Sequence, residues 1–203
     1  MSHSEATTMN PRAVPQNKRT GGQSGVASIE FALLSSFLVI LYMGFVEVSF
    51  FMESGRRITR AASTVSDLSG RYEQLDDQVL DEIHHAARLV ILPEEASSAR
   101  IRLTSFSIQN DEPTVDWSVA CNWLPRQTDT VVEDVPAAIW PEFGSALVTE
   151  LEIDVEAFFG FLVSVERTLT TRAYGRPREA SHVVLLATDY VCPYETSLGS
   201  LLN

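Results

Sequence analysis

Basic residues are scarce in this sequence, and lysine is almost absent. Fifteen Lys and Arg residues stand against 27 Asp and Glu residues, which gives a net charge of −12 over 203 residues. A protein this acidic repels phosphate backbones, so we expect no nucleic acid among its partners. The single lysine, Lys18, lies with Arg12 and Arg19 in the first 25 residues, where Glu5 is the one acid. The N-terminal segment is therefore basic, while the rest of the chain is strongly acidic.

Motifs that carry catalysis or hold a metal are also missing. The sequence has no serine in a nucleophile elbow and no glycine-rich phosphate loop. Asp111, Glu112 and Asp116 lack the spacing of a calcium-binding loop. His84 and His85 are neighbours in a predicted helix, so their side chains diverge by about 100° and we interpret both as surface or helix-cap residues. The sequence predicts a protein that is not an enzyme and has no cofactor and no metal site.

One long apolar run dominates the N-terminal third of the chain. Residues 31–46 carry no charge, and with Glu47 tolerated the run continues through Met52. As a helix, residues 31–52 would be about 33 Å long, close to the ~30 Å hydrocarbon core of a bilayer. A cleaved secretory signal is the alternative, but charged residues and further helical pattern follow the run. The polar residues 1–25 predict a disordered leader.

Two helical patterns follow the apolar run. Apolar residues at three- and four-residue spacing predict an amphipathic extension of the first helix that ends near Gly70. A second helix is predicted with Asp76 or Asp77 as its N-cap and Pro93 as its end. Its apolar stripe consists of Leu75, Val79, Leu80, Ile83, Ala86, Ala87, Val90 and Ile91.

Alternating patterns beyond residue 93 predict four strands. They cover 99–108, 114–120, 147–159 and 165–174, and the last two would form a hairpin around residues 160–161. Residues 122–145 are interpreted as a long loop between the second and third strands. In the third strand, apolar residues alternate with four acids, which predicts one wet acidic face. These acids are Glu150, Glu152, Asp154 and Glu156.

These elements predict an α+β fold in three parts. Residues 1–25 form the leader, and residues 26–70 form a long transmembrane helix with its amphipathic extension. Residues 71–203 form an α+β domain, in which the second helix is followed by a small antiparallel β-sheet. A chain of 203 residues has room for one membrane span and one domain of ordinary size.

A short motif marks the start of the apolar run. In GGQSGVASIEFALL (21–34), Gly25 is followed five residues later by Glu30 and then by Phe31. A carboxylate deep in a bilayer costs about 2.5 to 3.5 kcal/mol, so Glu30 needs a partner. The motif resembles the processing site of type IV prepilins, which implies that a prepilin peptidase cuts after Gly25 and leaves Val26 as the new N-terminus. The alternative is that Gly25 is a flexible joint and Glu30 reaches the membrane interface.

The longer segment from Gly25 to Ser69 extends this resemblance. GVASIEFALLSSFLVILYMGFVEVSFFMESGRRITRAASTVSDLS is similar to the start of the TadE/TadF family, the minor pilins or pseudopilins of tight-adherence (Tad, Flp) pili. AYGRPR (173–178) is similar to the end of the family domain. The resemblance implies a minor pilin-like subunit that helps to initiate or support a pilus used in surface attachment. It also implies a single-pass inner-membrane protein with a cytoplasmic N-terminus and a periplasmic domain at 71–203.

The resemblance further implies which molecules this chain contacts. Expected partners are the prepilin peptidase, other pilin and minor pilin subunits, the inner-membrane pilus assembly platform and the lipid bilayer. In the family, the glutamate equivalent to Glu30 is thought to meet the free amine of a neighbouring subunit. Polar or small residues in the span mark a helix face for packing on other subunits, unless lipid simply tolerates them. They are Glu30, Glu47, Ser35, Ser36 and Gly44.

Two other functions stay open at this point. The first is an anchored periplasmic domain that scaffolds a secretion system and never enters a filament. The second is an anchored enzyme, which would need a compact cluster of titratable groups in residues 93–203. Flanking charge does not fix the orientation of the span, because three basic residues precede it and three follow it. Cys121 and Cys192 would form one disulfide in an oxidising compartment, and two unrelated buried thiols are the alternative.

Overall fold

The computed structural model describes residues 23–92, 98–132, 135–157, 166–187, 190 and 192. The chain divides into two compact units, residues 1–43 and 44–203. Most of the predicted leader lies outside the described residues, as do Pro93 and the turn at 160–161. The described elements confirm the α+β class, with a long first helix, a second helix and a four-stranded antiparallel sheet.

The first helix, α1, runs from Gln23 to Ser69 and confirms that the helical pattern continues to the neighbourhood of Gly70. It is long and apolar enough to cross a membrane, and none of its most apolar stretch is buried. Within the first unit, large side chains such as Phe31, Leu34 and Ile40 are more than 60% exposed. Apolar residues that find no protein to pack against are typical of a lipid-facing or partner-facing helix.

Within the second unit, the last turns of α1 contribute to the core. Ile58, Ala61, Ala62 and Val65 are at most 2% exposed, as their helical spacing predicts. They belong to one apolar cluster with residues of the second helix and of the four-stranded sheet. The small alanines permit a close approach of α1 to its neighbours, because they add little bulk beyond the backbone.

The second helix, α2, runs from Asp77 to Ile91. Asp76 is its N-cap, and its Oδ1 accepts a hydrogen bond from the Val79 amide at 2.9 Å. Leu75 is buried but lies before the helix, so its inclusion in the helical stripe was wrong. His84 is 3% exposed on the buried face, which contradicts its interpretation as a surface or cap residue, whereas His85 is exposed. With a period of 3.6 residues, His84 follows the buried Leu80 by about one turn.

Four antiparallel strands form the main sheet. They are β2 (Arg100–Gln109), β3 (Glu112–Cys121), β4 (Ser145–Glu156) and β5 (Glu166–Gly175). Their order across the sheet is β3-β2-β4-β5. The turn between β2 and β3 has positive φ at Asn110 and Asp111, the conformation that suits the twist of a two-residue hairpin. Pairing of β4 with β5 confirms the predicted hairpin partners. A separate two-stranded parallel sheet, β1 (Gln74–Leu75) with β6 (Val184–Leu185), was not predicted.

The two faces of the sheet are covered differently. One face packs on α1 and α2 through side chains such as Leu103, Leu151 and Ile153. Part of the other face packs beneath the segment after β3, where Phe106 and Val148 meet Val132. That segment is the predicted long loop, with one short 3-10 helix at Ala137–Ile139. The predicted wet acidic face is consequently wrong at Glu150, which is 2% exposed, while Glu152 and Asp154 are half-buried.

Candidate functional site

The four residues of the predicted processing motif lie at the start of α1. Gly25, Val26, Glu30 and Phe31 are all exposed. A Cβ built on Gly25 would meet nothing within 4 Å, so nothing in the described chain obstructs this backbone. Among the residues described, no basic group pairs with Glu30, and the three basic residues of the leader are Arg12, Lys18 and Arg19, which lie outside that part. An exposed, unobstructed backbone does not test cleavage itself, so processing after Gly25 stays a prediction.

The residues predicted to mark a packing face are not all on one side of α1. At about 100° per residue, Ser35 and Ser36 lie about 140° and 120° around the helix from Glu30. Both hydroxyls donate to the Ala32 carbonyl, at 3.0 and 2.8 Å, so their polar groups are satisfied within their own helix. In the second unit, Gly44 and Glu47 are three residues apart and share a face. A role of these residues in packing stays a prediction.

The end of α1 and the AYGRPR segment meet through two glycines. A Cβ on Gly175 would lie 2.4 Å from the Ser66 hydroxyl, and a Cβ on Gly70 would lie 2.8 Å from the Arg176 carbonyl oxygen. The Arg178 amide donates to the Gly70 carbonyl at 2.8 Å. Glycine is needed at both positions because any side chain would push the strand and the helix apart. This contact gives the two family-like segments a shared structural role.

Charge reinforces the same contact. Asp67, two residues before the end of α1, forms ion pairs with Arg178 and with Arg71, the latter at 2.7 Å. A groove of about 550 Å³ lies beside it, lined by residues of α1 and by residues 172–178. The groove contains acidic and basic groups, but no nucleophile is paired with a base among its lining residues. Its residues hold the helix to the sheet.

A buried carboxylate joins four segments of the domain. Glu150 on β4 accepts hydrogen bonds from Arg102 on β2 at 2.7 Å and from Arg126 in the long loop at 2.9 Å, and it pairs with Arg172 on β5 at 3.0 Å. We call these four residues the Glu150 cluster. Burial opposes ionisation of Glu150, but the hydrogen bonds from Arg126 and Arg102 outweigh it and lower the pKa of the carboxyl. The cluster therefore carries charge at neutral pH and ties the loop to the sheet.

The structure joins Cys121 at the end of β3 to Cys192 by a disulfide, with the Cα atoms 5.4 Å apart. The bond links segments 71 residues apart in sequence. Its surroundings include Tyr190, whose hydroxyl lies 3.0 Å from His84 Nδ1 and donates to Asp81 Oδ1 at 2.8 Å. Burial lowers the pKa of His84 to about 4, against smaller opposing effects of the Leu80 carbonyl and the Asp81 charge. The imidazole is therefore neutral at pH 7.

Sequence reasoning missed the Glu150 cluster, the Asp67 pairs and the burial of His84. The opposite charges of Arg102, Glu150 and Arg172 were visible, but their pairing depends on the register of three strands, in which Glu150 faces both arginines. Once a register is known, opposite charges directly across a sheet are a usable signal. No local pattern places Arg126 on the same carboxylate, because it comes from the loop.

Comparison with known proteins gives one match. Residues 25–67 match the family model described as TadE-like protein, which confirms the resemblance drawn from the apolar segment. No curated protein and no solved structure matches the chain. The match covers the membrane-span candidate and most of the amphipathic end of α1, and it does not include the sheet, the Glu150 cluster or the disulfide.

Proposed function

We propose that this chain is a minor pilin-like subunit required for the assembly or initiation of a Tad-type pilus, and that a prepilin peptidase processes it after Gly25. The observation that carries the proposal is a TadE-like segment at residues 25–67 that coincides with an exposed apolar helix. Near its start this helix holds one carboxylate, Glu30, within a run of apolar residues. The fold places an α+β domain after the helix, as expected for a subunit with more than a filament-forming segment.

In this proposal the apolar helix holds the subunit in the inner membrane until assembly. Apolar side chains gain nothing from burial against another helix in lipid, so lateral association depends on packing and on polar pairs. Cutting after Gly25 frees the amine of Val26, which lies four residues before Glu30. An amine from a neighbouring subunit gives Glu30 a countercharge, and the cost of about 2.5 to 3.5 kcal/mol for a lone charge in the bilayer is removed. Pairing thus favours the helical bundle over the dispersed subunit.

The orientation that follows is a cytoplasmic leader and a periplasmic domain. The Cys121–Cys192 disulfide supports it, because such bonds persist in the oxidising periplasm and are rare in the cytosol. The peptidase, other pilin subunits and the assembly platform are the partners in the membrane, and the finished pilus serves surface attachment. No catalytic step is assigned to this chain.

Processing is tested by expressing the full chain with and without a prepilin peptidase and measuring its mass in the membrane fraction. We expect loss of 25 residues, including Lys18, and a new N-terminus at Val26. Gly25→Leu should prevent the shift, because a bulky side chain hinders the scissile bond. Gly44→Leu is the matched control, since Gly44 lies in the same helix and also has nothing within 4 Å of its Cβ position. A chain that keeps Lys18 in peptidase-positive cells would refute processing.

Entry into a filament is a separate question. We expect the processed chain to be detected by mass spectrometry in pili sheared from cells and purified. If it stays in the inner membrane while pili form only in its presence, the alternative of an anchored periplasmic scaffold that is not incorporated is correct instead.

A further inference from the structure

Three metal-ligating side chains from distant parts of the chain meet at the disulfide. They are His84 on α2, Cys121 on β3 and Cys192, and the two sulfurs and one ring nitrogen of His84 lie within 4.8 Å of one another. His84 is 3% exposed and Cys121 is 1% exposed, so two of the three are in the apolar core. Histidine nitrogen and cysteine sulfur are the ligands that Zn²⁺ prefers in proteins.

The hydrogen bonds of His84 fix which ring nitrogen has a free lone pair. Nδ1 lies 2.8 Å from the Leu80 carbonyl oxygen, which can only accept, so Nδ1 carries the proton. The Tyr190 hydroxyl, 3.0 Å from Nδ1, donates its own proton to Asp81 and is also an acceptor towards the ring. Nε2 is therefore the unprotonated nitrogen.

His84 Nε2 is buried and has no hydrogen-bond partner among the residues that the structure describes. An unsatisfied buried polar atom costs about 1 to 3 kcal/mol, and such atoms are uncommon in folded domains. Metal-binding histidines commonly show this arrangement, in which one ring nitrogen donates to a carbonyl or hydroxyl group and the other binds the ion. The lone pair of His84 thus has the chemistry of a ligand.

We propose that, when Cys121 and Cys192 are reduced, their thiolates and His84 Nε2 bind one Zn²⁺ ion, with Tyr190 as a positioning residue. With Zn–S bonds of about 2.3 Å, tetrahedral geometry places two sulfurs about 3.8 Å apart, a separation that two cysteines with Cα atoms 5.4 Å apart can span. Three protein ligands leave a fourth position for water or a partner's side chain. The sequence prediction of no metal site considered His84 with His85 and did not anticipate two cysteines converging on one imidazole.

The disulfide and the metal are alternative occupants of the same two sulfurs. A thiol or phosphine reductant supplies two electrons, and with two protons the disulfide becomes two thiols while the reductant is oxidised. Zn²⁺ then displaces the two thiol protons, and neutral His84 contributes its lone pair without releasing a proton. Bound zinc holds both thiolates, so it slows their oxidation back to the disulfide. The site therefore responds to the redox state of its surroundings.

The test uses the full chain in detergent micelles, reduced with a phosphine and freed of air and excess reductant. Zn²⁺ is titrated against a chromophoric chelator, and Co²⁺ is used in parallel to report thiolate ligation by its charge-transfer absorption. We expect one equivalent of Zn²⁺ per reduced chain and none held by the oxidised chain. Equal binding by both forms, or no binding by the reduced form, would overturn the proposal.

Two substitutions distinguish the proposed metal ligand, His84, from the positioning residue, Tyr190. His84→Phe keeps a ring that can stack on Tyr190, as His84 does at a centroid distance of 5.5 Å, but it has no nitrogen. It should weaken Zn²⁺ binding at least about tenfold, and Tyr190→Phe should weaken it by roughly tenfold, the low end of outer-shell effects. His85→Phe, on the exposed face of the same helix, should bind as the wild type does. If His84→Phe does not fold, the cobalt spectra of the reduced wild type and Tyr190→Phe decide the matter, and a wild-type spectrum without thiolate bands rejects the site.

Discussion

Substituting glutamine for Glu150 tests whether a single carboxylate holds the long loop on the sheet. The change keeps the size of the side chain and removes its negative charge. Three guanidinium groups, from Arg102, Arg126 and Arg172, then face a neutral amide. The side chains of Arg102 and Arg126 are only 15% and 18% exposed, so water solvates their charges poorly and does not replace the lost carboxylate.

The expected loss of unfolding free energy follows from the burial of these arginines. Breaking a buried ion pair while leaving its partner in place costs about 3 to 5 kcal/mol. The partial exposure of the arginines places Glu150→Gln near the lower end, at about 3 kcal/mol. For a chain of this size, 1 kcal/mol shifts the melting temperature by about 2–4 °C, so we expect a decrease of roughly 6–12 °C. The loop should detach first, which exposes Val148 on the sheet and Val132 on the loop itself.

The pH dependence has a defined sign. The arginine hydrogen bonds lower the pKa of Glu150 below its ordinary value of 4.5. A carboxyl whose pKa is lower in the folded state stabilises the fold at pH values above its unfolded pKa, and this contribution is lost as the pH falls through the folded pKa. The difference in unfolding free energy between wild type and Glu150→Gln should therefore be full at pH 7 and shrink below about pH 4.5.

Tryptophan fluorescence during urea unfolding in micelles measures this effect in the domain alone. Trp117, Trp123 and Trp140 all lie outside α1, and the Trp123 ring stacks on the Arg102 guanidinium at 4.2 Å. Glu152→Gln is the matched control, because Glu152 lies two residues along the same strand and pairs with Arg100, which keeps Asp154 as a second carboxylate partner; the Arg100 and Glu152 side chains are 29% and 23% exposed. It should cost less than about 1 kcal/mol. Equal stability of Glu150→Gln and Glu152→Gln would refute the reasoning.

Three further predictions concern other parts of the chain. Gly175→Ala should destabilise the domain by about 1 to 3 kcal/mol in the same urea assay, because its Cβ has no room, whereas Gly55→Ala, with nothing near its Cβ, should be neutral or slightly stabilising. The pKa of His84 measured by NMR should be near 4, against an ordinary value of 6.5. The free energy of unfolding should therefore fall as the pH drops from 6.5 to about 4, because the unfolded state binds the proton first. His84→Phe should remove this pH dependence. Glu30→Ala should leave peptidase cleavage intact and reduce recovery of the chain in purified pili, and unchanged recovery would exclude a countercharge role for Glu30.

Local patterns in the sequence were sufficient for the helices and most of the sheet. The apolar run of α1, the Asp76 cap of α2 and the alternation in β4 each depend on residues within a few positions of one another. Helical and strand periods are properties of the backbone itself, so a sequence that fits one of them predicts the element directly. The TadE-like resemblance could also be recognised from the sequence alone, because it depends on one continuous segment.

Only the tertiary structure decided which polar residues are buried and which distant ones meet. Glu150 follows the alternation of an outward-facing acid, yet the loop after β3 covers it and brings Arg126 to it. The pairing of β1 with β6 and the contact of Gly175 with α1 likewise join residues about a hundred positions apart. His84 is buried because its helix face packs on the core, where Tyr190 and the disulfide lie. Burial of a charge or a ring nitrogen depends on what covers it, and the covering residues come from parts of the chain that no local period connects.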